Sequence, residues 1–408
     1  MRHGGAGGAR GGRPDSAHRR GRPHRSGRRA GSPARGRDAP AVTSGAGRAR
    51  RAKCRAERRD ERRAERRALR RLTPPRWHDG TVSTTAERYR RFAREAAPRS
   101  RTYAAWSLAI ADDDECLALI DTLPVADRQP VLVLSAARYS GLAASGDIRA
   151  WLEGEWDAVA QIARQRATQT NDPRRTAPLL AALQGIHGPI ALLEVGASAG
   201  LGLLVDHYSH VFVDVDGVEH RVDPLEGAST LELRCTLGAG VPVPTTMPDI
   251  VWRAGLERSP LRLSNADDER WLRTLIWPEE RERAAQLDAA IAIAREHVPH
   301  LVAGDAVDGL AALAAHAPHD ATLVVASPAV LVYLSPADRA RFTAAVAELP
   351  GHWVSLDGRR VLPEIGASAD ALLPGADDDF VLSRDGRALA VVSPHGDVID
   401  RWVARQGE

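Results

Sequence analysis

The spacing of apolar residues divides the chain into three stretches. Residues 1–83 show no hydrophobic period: Arg, Gly, Ala and Pro follow one another irregularly. From 84 to 185 the period is helical. Thr84 precedes AERYRRFAREAA with Glu87 at capping-box distance, and Tyr89, Phe92 and Ala96 share one face. Tyr103–Ile110 carries Trp106 and Ile110 four apart. The acids Asp112–Asp114 open a helix with the stripe Leu117, Ile120 and Leu123, which Pro124 ends. Pro130 begins a more apolar helix, and Trp151, Trp156, Val159 and Ile162 form a further stripe. No strand-like alternation interrupts these segments, so the pattern predicts a cap of four to six helices. The polar loop Thr168–Arg175 (TQTNDPRR) breaks it and reads as a connector. It also offers an amide, Asn171, and a guanidinium, Arg175, to a ligand.

From 186 to 408 short apolar runs alternate with helical stretches, which predicts an α/β fold with a parallel sheet. Core strands are expected at Ile190–Val195, at Asp249–Leu256, just before Gly304, at Ala321–Ala326 and at His352–Leu356. Asp267–His297 reads as helix broken at Trp277-Pro278, because proline disfavours helix at the residue before it. Val211–Asp214 and Glu219–Val222 flank Asp216-Gly217, a hairpin turn, and residues 211–248 read as an insertion. Phe380–Ser383 and Ala388–Ser393 flank Asp385-Gly386-Arg387 and read as a hairpin at the sheet edge, making seven strands in all.

Charge alters the picture of the first stretch. The chain carries a net +3, yet residues 1–76 hold 25 Lys+Arg against 6 Asp+Glu, so residues 77–408 carry −16. An acidic body argues against nucleic acid as its partner. The tail, without Phe, Trp or Tyr before Trp77, cannot bury enough apolar surface to offset ordering and is expected to be disordered. It reads either as a nucleic-acid arm or as translated upstream DNA, with Val82 as the start; a single lysine, Lys53, among so many arginines favours the second. Cys54, Cys116 and Cys235 have neither disulfide-scaffold number nor metal spacing, which points to a reducing cytoplasm. No run is long enough to span a membrane, and no apolar core follows the basic N-terminus as in a signal peptide.

The chemistry concentrates in IALLEVGASAGLGLLVDHY, residues 190–208. It reads as strand, tight glycine turn and helix, and glycines let backbone N–H groups approach a ligand. Neither a P-loop lysine nor a G-x-G-x-x-G fingerprint is present. What remains is Glu194-x-Gly196-x-Ser198-x-Gly200, which resembles motif I of class I S-adenosylmethionine-dependent methyltransferases, with Ser198 in place of the usual central glycine. That resemblance implies that the cofactor's methionine end packs on the turn while Glu194 holds its amino group. Glu257, ending the next core strand, falls where an acid binds the ribose, with Asp223 in reserve. Gly304-Asp305-Ala306 falls where Asp305 binds the adenine amine and Ala306 packs the ring. Ser327-Pro328-Ala329-Val330 replaces the Asn/Asp-Pro-Pro-aromatic motif of base N-methyltransferases, so methylation of bases by that route is not expected. Ser327 and Tyr333 remain weak substrate candidates, and Tyr333 amid Val and Leu reads first as core.

LLEVGASAGL, WRAGLE, WLRTLIWPE, GDA and AVLVYLSPADRARF together resemble the bacterial domain-of-unknown-function family numbered 2332, over about residues 86–403. Gly202 stands where that family is expected to carry Asn, and Ala326-Ser327 where His-Ser is expected. The resemblances imply a Rossmann-like class I methyltransferase sheet under a helical cap, binding S-adenosylmethionine and a small-molecule acceptor. Two rivals stay open. One is a methyltransferase-like binding or interaction protein without catalysis. The other is a serine hydrolase, since Gly196-Ala-Ser198-Ala-Gly200 also spells a nucleophile elbow, with His352 or His395 as base. His207 and His210 have metal-ligand spacing but read as surface histidines.

Overall fold

The computed structural model describes residues 84–169, 171–372 and 379–403. The arginine-rich tail, with the readings made for it, lies outside them.

The helical stretch begins where the capping box predicts. Helix α1 (Thr85–Ala96) opens on Thr84, whose hydroxyl accepts from Glu87 N while the Glu87 carboxylate accepts from Thr84 N. Helices α2 (Arg101–Ala111), α3 (Asp114–Asp121), α4 (Pro130–Ser140) and α5 (Ile148–Gln165) follow, and Asp113 caps α3. Their apolar faces meet in one cluster around Tyr89, Tyr103, Ile110, Ile120, Leu134 and Leu152. That cluster also contains Trp271, Leu287 and Ile291, from α7 (Ala266–Thr274) and α8 (Arg281–Glu296), far downstream. The break between α7 and α8 seats Trp277 against the cap, with ring centroids 5.5 Å from Tyr103 and 5.7 Å from Phe92. The segment before the sheet, α6 (Thr176–Leu183), packs instead on the sheet through Ala177, Leu180 and Leu183.

The strands are β1 (Ile190–Val195), β2 (Ser209–Val213), β3 (Glu219–Val222), β4 (Glu232–Leu237), β5 (Ile250–Glu257), β6 (His300–Ala303), β7 (Thr322–Pro328), β8 (His352–Gly358), β9 (Phe380–Arg384), β10 (Arg387–Val392) and β11 (Val398–Trp402). They form one mixed sheet in the order β3-β2-β4-β11-β10-β9-β8-β7-β1-β5-β6. The five core strands are parallel to their neighbours: β6-β5-β1-β7-β8. In chain order this is 3-2-1-4-5, the doubly wound arrangement with a switch point between β1 and β7. Helix α6 and the segment after β1 cover one face, through Leu203 and Val205. Helices α9 (Leu310–Ala314), α10 (Pro336–Ala347) and α11 (Pro363–Leu372) cover the other, through Leu313, Phe342 and Ile365.

Two expectations are corrected. The sheet has eleven strands, not the seven of a class I methyltransferase. And the β9–β10 hairpin is not its edge: β11 pairs antiparallel with β10 and parallel with β4, which draws the 211–248 segment into the same sheet. The physical reason is that β10 leaves an unpaired edge with a buried Ala390, Val391 and Val392, and β11 and β4 complete it. Among the described residues no helix is long and apolar enough to cross a membrane.

Candidate functional site

Strand β1 ends at Val195, and the chain turns sharply through three left-handed residues, Gly196 (φ +78°), Ser198 (φ +54°) and Gly200 (φ +79°). The glycines answer to their protein neighbours. A Cβ on Gly196 would lie 2.4 Å from Val330 Cγ2, and one on Gly200 would lie 2.7 Å from Pro299 Cβ. Val330 is delivered there by Ala329, itself left-handed at φ +56°, whose N–H donates to Leu356 O at 2.7 Å. The expected helix after the turn is a short 3-10 segment, Leu201–His207, with a kink at Leu204. The segment that follows the turn therefore offers it no α-helix N-terminus.

A left-handed conformation costs a serine about 1–2 kcal/mol, and Ser198 is held there by bonds on every polar atom. Its N–H donates to Glu257 Oε2 at 3.0 Å and its carbonyl accepts from Leu261 N at 3.1 Å. Its hydroxyl donates to Gln169 Oε1 and accepts from Asn171 Nδ2. Asn171 Oδ1 accepts from Ala199 N at 3.2 Å. The connector loop is thus stitched to the glycine turn, and its Asn171 is buried. The serine hydroxyl meets amides rather than a base. His352 pairs with Asp385, and His395 is engaged by Asp172 and Arg99.

Glu194 is the turn's other polar group. It is 7% exposed at the C-terminal end of β1, and its Oε2 is buried without a hydrogen-bond partner. Gly202 is pressed against the carboxylate: a Cβ there would lie 2.6 Å from Oε1. Burial, with Glu257 nearby and against the pull of Arg175, pushes the Glu194 carboxyl up to about 8. Arg175 gives its Nε to Pro394 O at 3.0 Å; its two terminal nitrogens have no hydrogen-bond partner among the described residues. Glu194 and Arg175 line one cavity with Asn171, Asp172, Gly196 and Gly202. Its free space is about 40 Å³, room for about three waters. Ala326, Pro328 and Val354 line it too, which places it at the carboxyl ends of β1, β7 and β8, at the switch point.

The other expected residues divide. Glu257 Oε1 accepts from Ser259 N at 3.0 Å, so this acid braces both the glycine turn and its own strand end. Asp305 Oδ1 accepts from Val307 N at 2.9 Å, and its Oδ2 pairs with Arg258 at 3.0 Å. Ala306 follows, half-buried. Tyr333, read as core, is 46% exposed; desolvation, with Glu257 nearby and against the pull of Arg175, raises its phenol. Ser327 faces the opposite side of the sheet, where its hydroxyl accepts from Trp353 Nε1 at 3.0 Å. Asp223 lies in the 211–248 segment, bonded to Ser209 and Arg221. His210 is fully buried in β2 and bonds Val205 O at 3.0 Å, and His207 stacks on His297 at 3.8 Å. Neither matches the surface reading: His210 is core, and His207 is shielded by its ring partner.

Sequence reasoning missed two buried acids. Asp172 has a side chain with no exposure, held by Arg174, by Arg283 at 3.2 Å and by His395 Nδ1 at 3.0 Å. Burial opposes its charge, but His395 and these arginines hold its carboxyl well below the usual range. Asp357, ending β8, has both carboxylate oxygens buried without a well-formed hydrogen bond. Burial raises it well above the usual carboxylate range despite Arg175, the Leu331 N–H and Arg339. A signal for Asp357 was present: an acid closing the apolar run of a core strand (HWVSLDG) at the end where α/β sheets bind ligands.

No curated protein and no solved structure matches the chain. A family model does, over residues 86–402: an uncharacterized protein conserved in bacteria, DUF2332. The match takes in the cap, the glycine turn, the stitching loop and the last strand, and the chain belongs to the DUF2332 family.

Proposed function

We propose that the chain is an S-adenosylmethionine-dependent methyltransferase acting on a small-molecule acceptor. The observation that carries this reading is Glu194. A buried acid with a vacant oxygen, at the end of the central strand beside a glycine turn, calls for a cationic partner, and the cofactor's ammonium is one. The strand order supports it, as does the succession of acids: Glu194 is next to last in β1, Glu257 ends β5 and Asp305 follows β6. Each oxygen of Glu257 spends one lone pair on a backbone N–H and keeps another for a ribose hydroxyl. Asp305, fixed by Val307 N and Arg258, keeps a lone pair on Oδ2 that an amine could use. The cofactor, when bound, supplies a methyl group activated by its sulfonium. What the protein contributes is positioning, and a base is needed only if the acceptor must lose a proton.

One observation favours a second reading, a methyltransferase-like binding or interaction protein. Val330 and Pro299 cover the glycines, and the free space beside Glu194 is far smaller than the cofactor. Calorimetry of the full chain with S-adenosylmethionine and S-adenosylhomocysteine tests the choice. Binding of either supports the methyltransferase reading against an interaction protein that takes no cofactor, methyl transfer then separates an enzyme from a cofactor-binding relative, and the absence of heat from both removes the methyltransferase reading. The hydrolase reading draws no support from Ser198, whose hydroxyl lies between Gln169 and Asn171.

A further inference from the structure

We infer that the cavity between Arg175 and Glu194 is a slot for the α-amino and α-carboxylate groups of an amino acid. Three observations carry it. Glu194 has a buried oxygen without a partner, and Arg175 has two terminal nitrogens without one. Both side chains line the same cavity. Yet no ion pair within 4 Å joins them among the described residues, although an ionised Glu194 would gain by meeting a guanidinium beside the same cavity. A gap is thus held open between an acid and a guanidinium. A zwitterion fills such a gap with each end satisfied: its ammonium donates to Glu194, and its carboxylate accepts from the fork of Arg175. The free space, about 40 Å³, suits a group of that size and not a whole nucleoside.

The walls hold both groups in place. Arg175 is anchored by Nε on Pro394 O, in the turn between β10 and β11. Asp172, beside it, is neutralised by its own arginines and His395, so it does not compete for the Arg175 fork. Gly202 lets the backbone lie against the Glu194 carboxylate without a side chain between them. The sheet adds the apolar lining of Ala326, Val354, Leu356 and Leu382, and with Asp172 already paired, Arg175 and Glu194 are the lining charges left to select the ligand.

The zwitterion has two sources, the methionine end of the cofactor or a free amino acid. The first rests on the methyltransferase reading; the second does not. The full chain and its Arg175→Gln, Arg175→Lys and Glu194→Gln variants are titrated with S-adenosylhomocysteine, 5′-methylthioadenosine and L-methionine. Methylthioadenosine keeps the nucleoside and lacks the amino acid. If the cofactor fills the slot, Arg175→Gln and Glu194→Gln weaken S-adenosylhomocysteine by about tenfold or more and leave methylthioadenosine within about twofold. If a free amino acid fills it, L-methionine binds the wild type, the same variants weaken it, and neither nucleoside binds. That second result keeps the slot and removes the methyltransferase reading. Should Arg175→Gln fail to fold, Arg175→Lys, which keeps the charge and loses the fork, carries the comparison. The inference is overturned if the variants leave every affinity unchanged, if they weaken S-adenosylhomocysteine and methylthioadenosine alike, or if neither S-adenosylhomocysteine nor L-methionine binds.

Discussion

Glu194→Gln tests the electrostatics of the site without any ligand. In the folded chain burial moves this carboxyl from the ordinary 4.5 to about 8. The sign follows from the direction: an acid that resists ionisation when folded stabilises the unfolded state as pH rises. Its contribution is fully favourable below 4.5, is lost progressively above it, and levels off near 8, where the folded carboxyl also ionises. At about 1.4 kcal/mol for each pH unit in that window, the protein loses on the order of 3 kcal/mol by neutral pH and on the order of 5 kcal/mol by about pH 8. Glutamine cannot ionise, so the variant escapes this slope. Its amide brings a fixed cost of about 1–3 kcal/mol for buried donors, which shifts the whole curve and does not tilt it. The slope that Asp357 adds is common to both proteins and cancels. Thermal melting of wild type and variant, unliganded, between about pH 5 and about pH 7.5 reads the difference. At about 2 °C for each kcal/mol, the gap between the two curves should widen by roughly 6 °C in favour of the variant. Parallel curves over that range would show that Glu194 ionises freely in the folded state, and the case for a vacant buried acid would fail with it.

Three other perturbations have definite outcomes. Asp172→Asn removes the carboxylate that Arg174, Arg283 and His395 share. It should cost about 3–5 kcal/mol in urea unfolding at neutral pH; because the folded carboxyl sits below the ordinary 3.8, the deficit should shrink as pH falls below that value. Gly196→Ala should destabilise by about 1–2 kcal/mol for the left-handed backbone and by about 1–3 kcal/mol more for the collision with Val330. Adding Val330→Gly, which removes the Cβ that would lie 2.6 Å away as well as the two methyls, should recover the second part and not the first when read against Val330→Gly alone, and full recovery would mean that φ carries no strain. Ser198 should resist fluorophosphonate labelling, and labelling that disappears in Ser198→Ala would restore the hydrolase reading.

Much of the sheet was legible because its core strands are short, continuous apolar runs bounded by turn residues, as in Ile190–Val195 and Thr322–Pro328. The capping box at Thr84 and the break at Trp277-Pro278 were equally local and equally readable. What pairing adds was not readable. Strand β4 alternates buried and exposed residues throughout, yet nothing in ELRCTL says that its partner is VIDRW near residue 400. The site was legible in kind and incomplete in membership. Glu194, Ser198, Asn171 and Arg175 were identified from motif and loop polarity. Gln169, Asp172 and Asp357 were not, because their roles depend on burial that only tertiary packing creates. The glycines show the reverse case: their letters suggested a ligand, and their immediate neighbours are Val330 and Pro299.

Strand β11 has a bearing on how the molecule is made. It is the hydrogen-bonded link between the β10 side of the sheet and the β4-β2-β3 side. During synthesis, β4, β2 and β3 emerge early and can pair only among themselves until Val398 leaves the ribosome. A nascent chain therefore passes through a long interval with two open strand edges, on β4 and on β10, and open edges invite pairing between molecules. The buried alternation of β4 makes its edge the stickier one. Stalled or prematurely terminated chains lacking residues 398–402 should accumulate as aggregates rather than as a smaller soluble sheet, and chaperone demand should fall once translation passes this strand.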